Sequence, residues 1–279
     1  MSKYELLPQQ LLVEGIASEN DFFEPDPLSA DQILSTHSLV YWQKLSLGTL
    51  SKDEIRKSGF PYSRQLVERE VTIAGGTFQC ALYALKEGLA MNIAGGTHHA
   101  FTDRGEGFCL LNDIAIAANL LLSKSFVNKV LVVDLDVHQG NGTAQIFSSE
   151  ERVFTFSMHG AKNYPLQKEK SDLDVPLDDG TLDEEYIMLL EKYLSGILDS
   201  FDPDFIFYQS GVDVLSTDKL GRLSLTEEGS KQRDKIVFDA ASKKSIPIVA
   251  CMGGGYSPKI GTIINAHKAT FEVAKRIYE

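Results

Sequence analysis

From about residue 76 onward the chain alternates between two hydrophobic patterns. One spaces apolar residues three and four apart, in "GTFQCALYALKEGLA", "LNDIAIAANLLLSK", "DEEYIMLLEKYLSGILDSF" and "TEEGSKQRDKIVFDAASKK". That spacing predicts helices. The other pattern is short and continuously apolar, in "MNIA", "KVLVVDLD", "RVFTFSM", "DFIFYQS" and "IPIVACM". Such runs predict strands buried on both faces, and helices between them make the sheet parallel. A short helix near "GTAQIFSS" and a closing helix complete the series. The expected fold is α/β, with a central parallel sheet flanked by helices. Residues 1–65 are polar and broken by Pro and Ser. There the pattern predicts short helices around "LLPQQLLVEG" and "SADQILSTHSLVYWQKL", joined by "FFEPDP". No repeat, low-complexity stretch or linker interrupts the chain, so residues 1–279 are expected to form a single domain.

The polar clusters fall where the apolar runs end. "GGTHHA" follows "MNIA", "DLDVHQGNG" follows "VLVV", "SMHG" follows "VFTF", "SGVD" follows "FIFYQ" and "MGGGY" follows "IPIVAC". Open parallel sheets build their sites at the carboxyl ends of strands, so these loops should converge on one rim.

Asp134, Asp136 and His138 alternate strictly, which on a strand puts them on one face. Adjacent buried carboxylates repel unless a cation holds them. One His with carboxylates suits a catalytic metal site, whereas closed structural zinc sites favour Cys. Asp136, His138 and, from another strand end, Asp213 are the expected ligands. The paired His98 and His99 suit general acid–base work, with Asp134 and Asn141 as acceptors that fix their second nitrogens. Gly254 and Gly255 let the backbone approach a substrate, and the Tyr256 hydroxyl can stabilise an oxyanion.

Composition narrows the partners. A formal net charge of −12 argues against nucleic acid or an anionic membrane surface and mildly favours cationic partners, such as lysine-rich peptides or polyamines. The three cysteines, Cys80, Cys109 and Cys251, form neither a disulfide framework nor a metal knuckle. No run reaches the roughly 18 apolar residues of a membrane span. The expectation is a cytoplasmic protein. His37 and His267 read as surface or capping residues, His159 as a loop residue near the rim and Cys109 as packing.

Taken together, "GGTHHA", "GEGFCLLND", "VVDLDVHQGNG", "SGVD" and "MGGGY" resemble the histone deacetylase family of the arginase/deacetylase superfamily, in order and spacing. The HQGNG variant and "SMHGAKNYP" look most like its class IV branch and bacterial relatives. The resemblance implies a zinc-dependent amide hydrolase of N-acyl-lysine, with Fe2+ as the other candidate metal. It implies metal binding by Asp136, His138 and Asp213, a proton shuttle at His99, His98 paired with Asp134, and Tyr256 on the scissile carbonyl. Gly107 and Phe108 would line an acyl-lysine tunnel, with Tyr164 on its opposite wall. A monovalent cation, K+, would involve Asp134, Asp136, His138, Ser157 and Met158.

Two departures carry expectations. Asn141 stands where many members have Asp, which should lower the pKa of its histidine. The chain opens at "MSKYELLP", past the family's first strand, so that strand is expected to be lacking. Other readings are deacylation of small acylated amines, an arginase-like site with two manganese ions, and a module that binds acyl-lysine without turnover.

Overall fold

The alternating patterns fold into alternating elements in a computed structural model, which describes residues 2–279. Helices α1 (Lys3–Val13), α2 (Ala30–Leu34), α3 (Leu39–Leu47) and α4 (Lys52–Ser58) precede the long α5 (Arg64–Glu87). There follow β1 (Leu89–Asn92), α6 (Asp113–Ser123), β2 (Val130–Asp134), α7 (Asn141–Phe147), β3 (Val153–Gly160) and β4 (Leu173–Leu177). The chain closes with α8 (Asp183–Ser200), β5 (Phe205–Gln209), α9 (Glu227–Lys243), β6 (Ile248–Cys251) and α10 (Ile260–Tyr278).

The strands make one sheet in the order β1-β6-β5-β2-β3-β4, with every pairing parallel. Successive side chains of a strand point to opposite faces. Val130 and Val132 of β2 therefore pack with α5 and α6, in a core with Ile114, Ala117 and Leu121. Leu131 and Val133 pack with α8 and α9, against Leu194, Val237 and Phe238. Both layers exclude water from β2, β5 and β6, which explains why their sequences are apolar throughout. Each fully buried Val, Leu or Phe contributes about 1.5–3 kcal/mol to this packing.

Several local expectations give way. "SADQILSTHSLVYWQKL" forms two helices, because Ser38 starts a second one by accepting from the Tyr41 N–H. Helix α4 was not expected, although Ser51 and Glu54 cap it reciprocally and Gly59 ends it in the left-handed region. Helix α5 begins at Arg64, well before the predicted start at Gly76. Gly75 and Gly76 look like breakers, yet they are buried inside the helix. A side chain at Gly75 would collide with the Asp26 carbonyl, so this glycine serves the close approach of the "FFEPDP" loop. Strand β4 was also missed: it is short, is flanked by Asp172 and Asp178, contains Pro176 and lies at the sheet edge, where proline is tolerated.

Three histidines sit deeper than expected. His37 is buried, with Nδ1 2.9 Å from the Phe101 carbonyl and Nε2 accepting from the Asn112 N–H at 3.0 Å. His267 is buried within α10, and His159 is a buried residue of β3 rather than part of a loop. Surface or capping roles are therefore corrected for His37 and His267. Among the described residues, no helix is long and apolar enough to cross a membrane.

Candidate active site

Strand β2 stops at Asp134, so Asp136 and His138 lie in the loop beyond it. The shared-face argument is corrected accordingly: hydrogen bonds, not pleating, converge these groups. The Leu135 N–H donates to the Gln209 carbonyl at 3.1 Å, the Asp136 N–H to Asp134 Oδ1 at 3.2 Å, and the Val137 N–H to Asp213 Oδ1 at 2.9 Å. Asp213 arrives from the loop after β5. His138 Nδ1 lies 3.0 Å from Asp136 Oδ1 and 3.2 Å from Asp213 Oδ2. One donor atom from each of Asp136, His138 and Asp213 falls within 4.8 Å of the others.

This donor set fits a divalent cation. Both carboxylates are buried, and Asp213 Oδ2 has no hydrogen-bond donor. Burial and the neighbouring Asp136 push the Asp213 carboxyl up to about 6. Burial pushes His138 down, but its hydrogen bond to Asp136 and the negative charges of Asp136 and Asp213 outweigh that and raise its pKa to about 10. A cation is the simplest counter-charge for such a pair. Two carboxylate oxygens and an imidazole suit Zn2+ and other divalent metals with mixed N and O preference. Gly254 seals the floor: its N–H donates to Asp136 Oδ2 at 3.0 Å, and a side chain there would collide with both carboxylates. Among the described residues no second such cluster is present, which leaves no set for a two-manganese site.

His98 and His99 stand beside this cluster. His98 Nδ1 is 2.7 Å from Asp134 Oδ2, and His99 Nδ1 is 2.7 Å from Asn141 Oδ1. The two Nε2 atoms are 3.1 Å apart. Burial pushes His98 down, but the Asp134 carboxylate outweighs it and raises the pKa to about 9. Burial, with His98 and His138 nearby, holds His99 well below 6.5. The Asn141 hydrogen bond itself acts upward, and desolvation dominates.

The preceding turn is fixed by Asp113, which sequence reading passed over. Its Oδ1 accepts from the Thr97 N–H and hydroxyl, both at 2.7 Å, and its Oδ2 from the Gly96 N–H at 2.9 Å. Arg233 was missed as well. From α9 its guanidinium donates to the Leu135 carbonyl at 3.2 Å and the Gly211 carbonyl at 2.6 Å. It thus ties together the two loops that carry Asp136 and Asp213.

These groups lie in a cavity of about 550 Å3. Its walls include Gly107, Phe108, Tyr164, Gly254 and Tyr256, as expected, with Gly253 of the same glycine run, and also Lys3, which was not expected. Gly255 does not line it: this residue, at φ +148°, backs onto Val212. A side chain at Gly107 would come within 2.6 Å of the His99 ring. Phe108 holds a left-handed φ of 65° that projects its ring into the opening, with 47% of the residue exposed. The Tyr164 ring stands at 88° to that of His99, centroids 5.0 Å apart. Burial pushes the Tyr256 hydroxyl up to about 12, so it keeps its proton at neutral pH. Ser157 pairs in register with Asp134 across β3, and the Met158 side chain is core.

Comparison with known proteins agrees with this geometry. Residues 1–271 match the model of the histone deacetylase domain. An uncharacterized protein of Picosynechococcus is 39% identical over 278 residues, covering 100% of this chain and 93% of that protein. Histone deacetylase 2 of Arabidopsis thaliana is 32% identical, covering 94% of this chain and 70% of its own length. A crystal structure of a histone deacetylase homologue complexed with SAHA superposes with a TM-score of 0.84 at 25% identity, covering 96% of this chain and 77% of that one. A six-stranded parallel sheet, a carboxylate–histidine cluster at its carboxyl edge and a family match over nearly the whole chain agree: this chain belongs to the histone deacetylase family.

Proposed function

We propose that the protein hydrolyses the amide of an N-acyl-lysine or a similar acylated amine. The observation that carries this is the convergence of Asp136, His138 and Asp213 at the base of a cavity that also holds His98 and His99. Zn2+, or Fe2+ in its place, would be held by those three residues. Bound there, such an ion supplies a Lewis acid.

The chain's own groups then divide the work. The acyl-lysine stem runs between Phe108 and Tyr164, over Gly107. His99, kept neutral by burial, offers Nε2 as the base for a water that attacks the acyl carbon. Asp134 fixes the His98 ring and favours its protonated form, and a proton from the pair reaches the departing amine. Tyr256 donates its hydroxyl to the acyl oxygen as charge develops there, while Gly254 lets the backbone pass close beneath. A monovalent cation beside β2, involving Asp134, Asp136, His138, Ser157 and Met158, belongs to the same reading. Such a pocket takes one extended chain, and a cytoplasmic location suits a site with no disulfide and three buried free thiols.

The test is deacylation of a lysine-peptide panel, from acetyl to myristoyl, by metal-supplemented protein. Turnover by the wild type that disappears in Asp136→Ala is expected. Metal bound with no turnover of any acyl-lysine, nor of an acetylated polyamine run beside the panel, would refute the reading.

A further inference from the structure

The mouth of the cavity carries a charge opposite to that of the molecule. The formal net charge is −12, yet the carboxylates that line the cavity are Asp136 and Asp213, at its base. Its walls also present Arg56, Lys57, Lys162 and Arg222. Arg56 and Lys57 occupy the last turn of α4, Lys162 follows β3, and Arg222 precedes α9. The side chains of Arg56, Lys162 and Arg222 are 77%, 68% and 55% exposed, which places these charges at the opening rather than in the depth.

Neutralisation is incomplete. Asp53 sits 3.1 Å from Arg56. Asp179 serves two cations, Arg222 at 3.1 Å and Lys162 at 3.7 Å. Lys57 has no carboxylate partner among the described residues. Two carboxylates thus face four cations. Of the other acids nearby, Glu106 and Asp103 share Arg104, at 2.7 and 3.0 Å, and Asp218 keeps its charge while accepting from the N–H groups of Leu220, Gly221 and Tyr256, so the excess of positive charge is confined to the four lining cations. Deeper in, Lys3 Nζ donates to the Gly253 carbonyl at 3.1 Å and adds a further positive charge to the wall. At a screening length of about 8 Å, the distant acidic surface fades and these local charges dominate what a substrate meets.

We infer that the substrate carries an anionic group close to its acylated amine, an inference that rests on the deacylase reading. The group is a carboxylate, supplied either by acidic residues flanking an acylated lysine or by the α-carboxylate of free acyl-lysine. Lysine-rich tails and polyamines, favoured by net charge alone, meet repulsion at this mouth.

The experiment compares acyl-lysine peptides with Asp, Gly or Lys on both sides of the acylated residue, using metal-supplemented protein. Nε-acetyl-lysine and its α-amide distinguish the two sources of carboxylate. The expected kcat/KM for the Asp-flanked peptide exceeds that for the Lys-flanked one by roughly tenfold at low ionic strength and converges with it as salt rises. The double variant Lys57→Glu/Arg222→Glu should abolish or reverse this order, read as the ratio of kcat/KM for the Asp-flanked and Lys-flanked peptides. Equal or better turnover of the Lys-flanked peptide, or an order that survives the charge reversal, would overturn the proposal. Calorimetric binding of the same peptides separates it from the deacylase reading. If nothing is turned over, an anionic preference in binding that the double variant loses still upholds the mouth's role, and indifferent binding refutes it.

Discussion

Both ring nitrogens of His37 are committed in its neutral form, one donating to the Phe101 carbonyl and one accepting from the Asn112 N–H. Protonation would set an N–H against an N–H, and burial already lowers its pKa from 6.5 to about 4. Between those values the unfolded chain binds a proton that the folded chain refuses. Stability from this group is therefore complete above pH 6.5 and is lost as pH falls toward 4. Denaturant titrations across that interval should show a loss of up to about 1.4 kcal/mol per pH unit from this residue. His37→Gln should flatten that part of the slope. At this scale the sequence is legible where residues cluster in short motifs. His98, His99, Asp134 and Asp136 could be picked out because adjacent or alternating polar groups after an apolar run need a chemical reason. His37, Asp113 and Lys3 could not, since each acts on a partner far away in the chain.

At the scale of elements, period and length located five of the strands and the helices between them. They missed β4, a short strand interrupted by Pro176, and α4, a short and largely charged helix, and misplaced the start of α5, where tertiary contact overrides the usual meaning of paired glycines. Helix α9 hides a further lesson. Its sequence, "EEGSKQRDKIVFDAASK", gives no sign that Arg233 and Asp234 are fully buried. Arg233 clamps the loops after β2 and β5, and Asp234 accepts from Arg233, Tyr208 and Thr270. Arg233→Met leaves Asp234 buried without its counter-charge, a change that costs about 3–5 kcal/mol. On the proposed reading it should also weaken metal affinity roughly 10–100-fold, because the ligand loops lose their tie. Chemical denaturation measures the first effect. Competition with a chromophoric chelator measures the second.

For the molecule as a whole, metal and folding should be linked. Asp136, His138 and Asp213 come together only in the folded chain, so a bound cation stabilises that state alone. At a hundred times its Kd, Zn2+ should add about 2.7 kcal/mol and raise the melting temperature. Asp213→Asn should lose that shift, and a wild type that melts identically with and without metal would contradict the assigned site. Net charge was the whole-molecule quantity most open to misreading. It averages over the surface and conceals the basic mouth, which arises from residues of α4, the loop after β3 and the loop before α9.

One cavity holds both Lys3 and Tyr256, with the Lys3 Nζ on the Gly253 carbonyl and 5.7 Å from the centre of the Tyr256 ring. During synthesis, then, the first wall of the pocket leaves the ribosome long before the last. Helix α1, whose Leu7 and Leu11 pack with Met252 and Ile264, must wait for β6, its glycine turn and α10 to arrive. No amino-terminal fragment that stops short of Tyr256 can own a finished pocket.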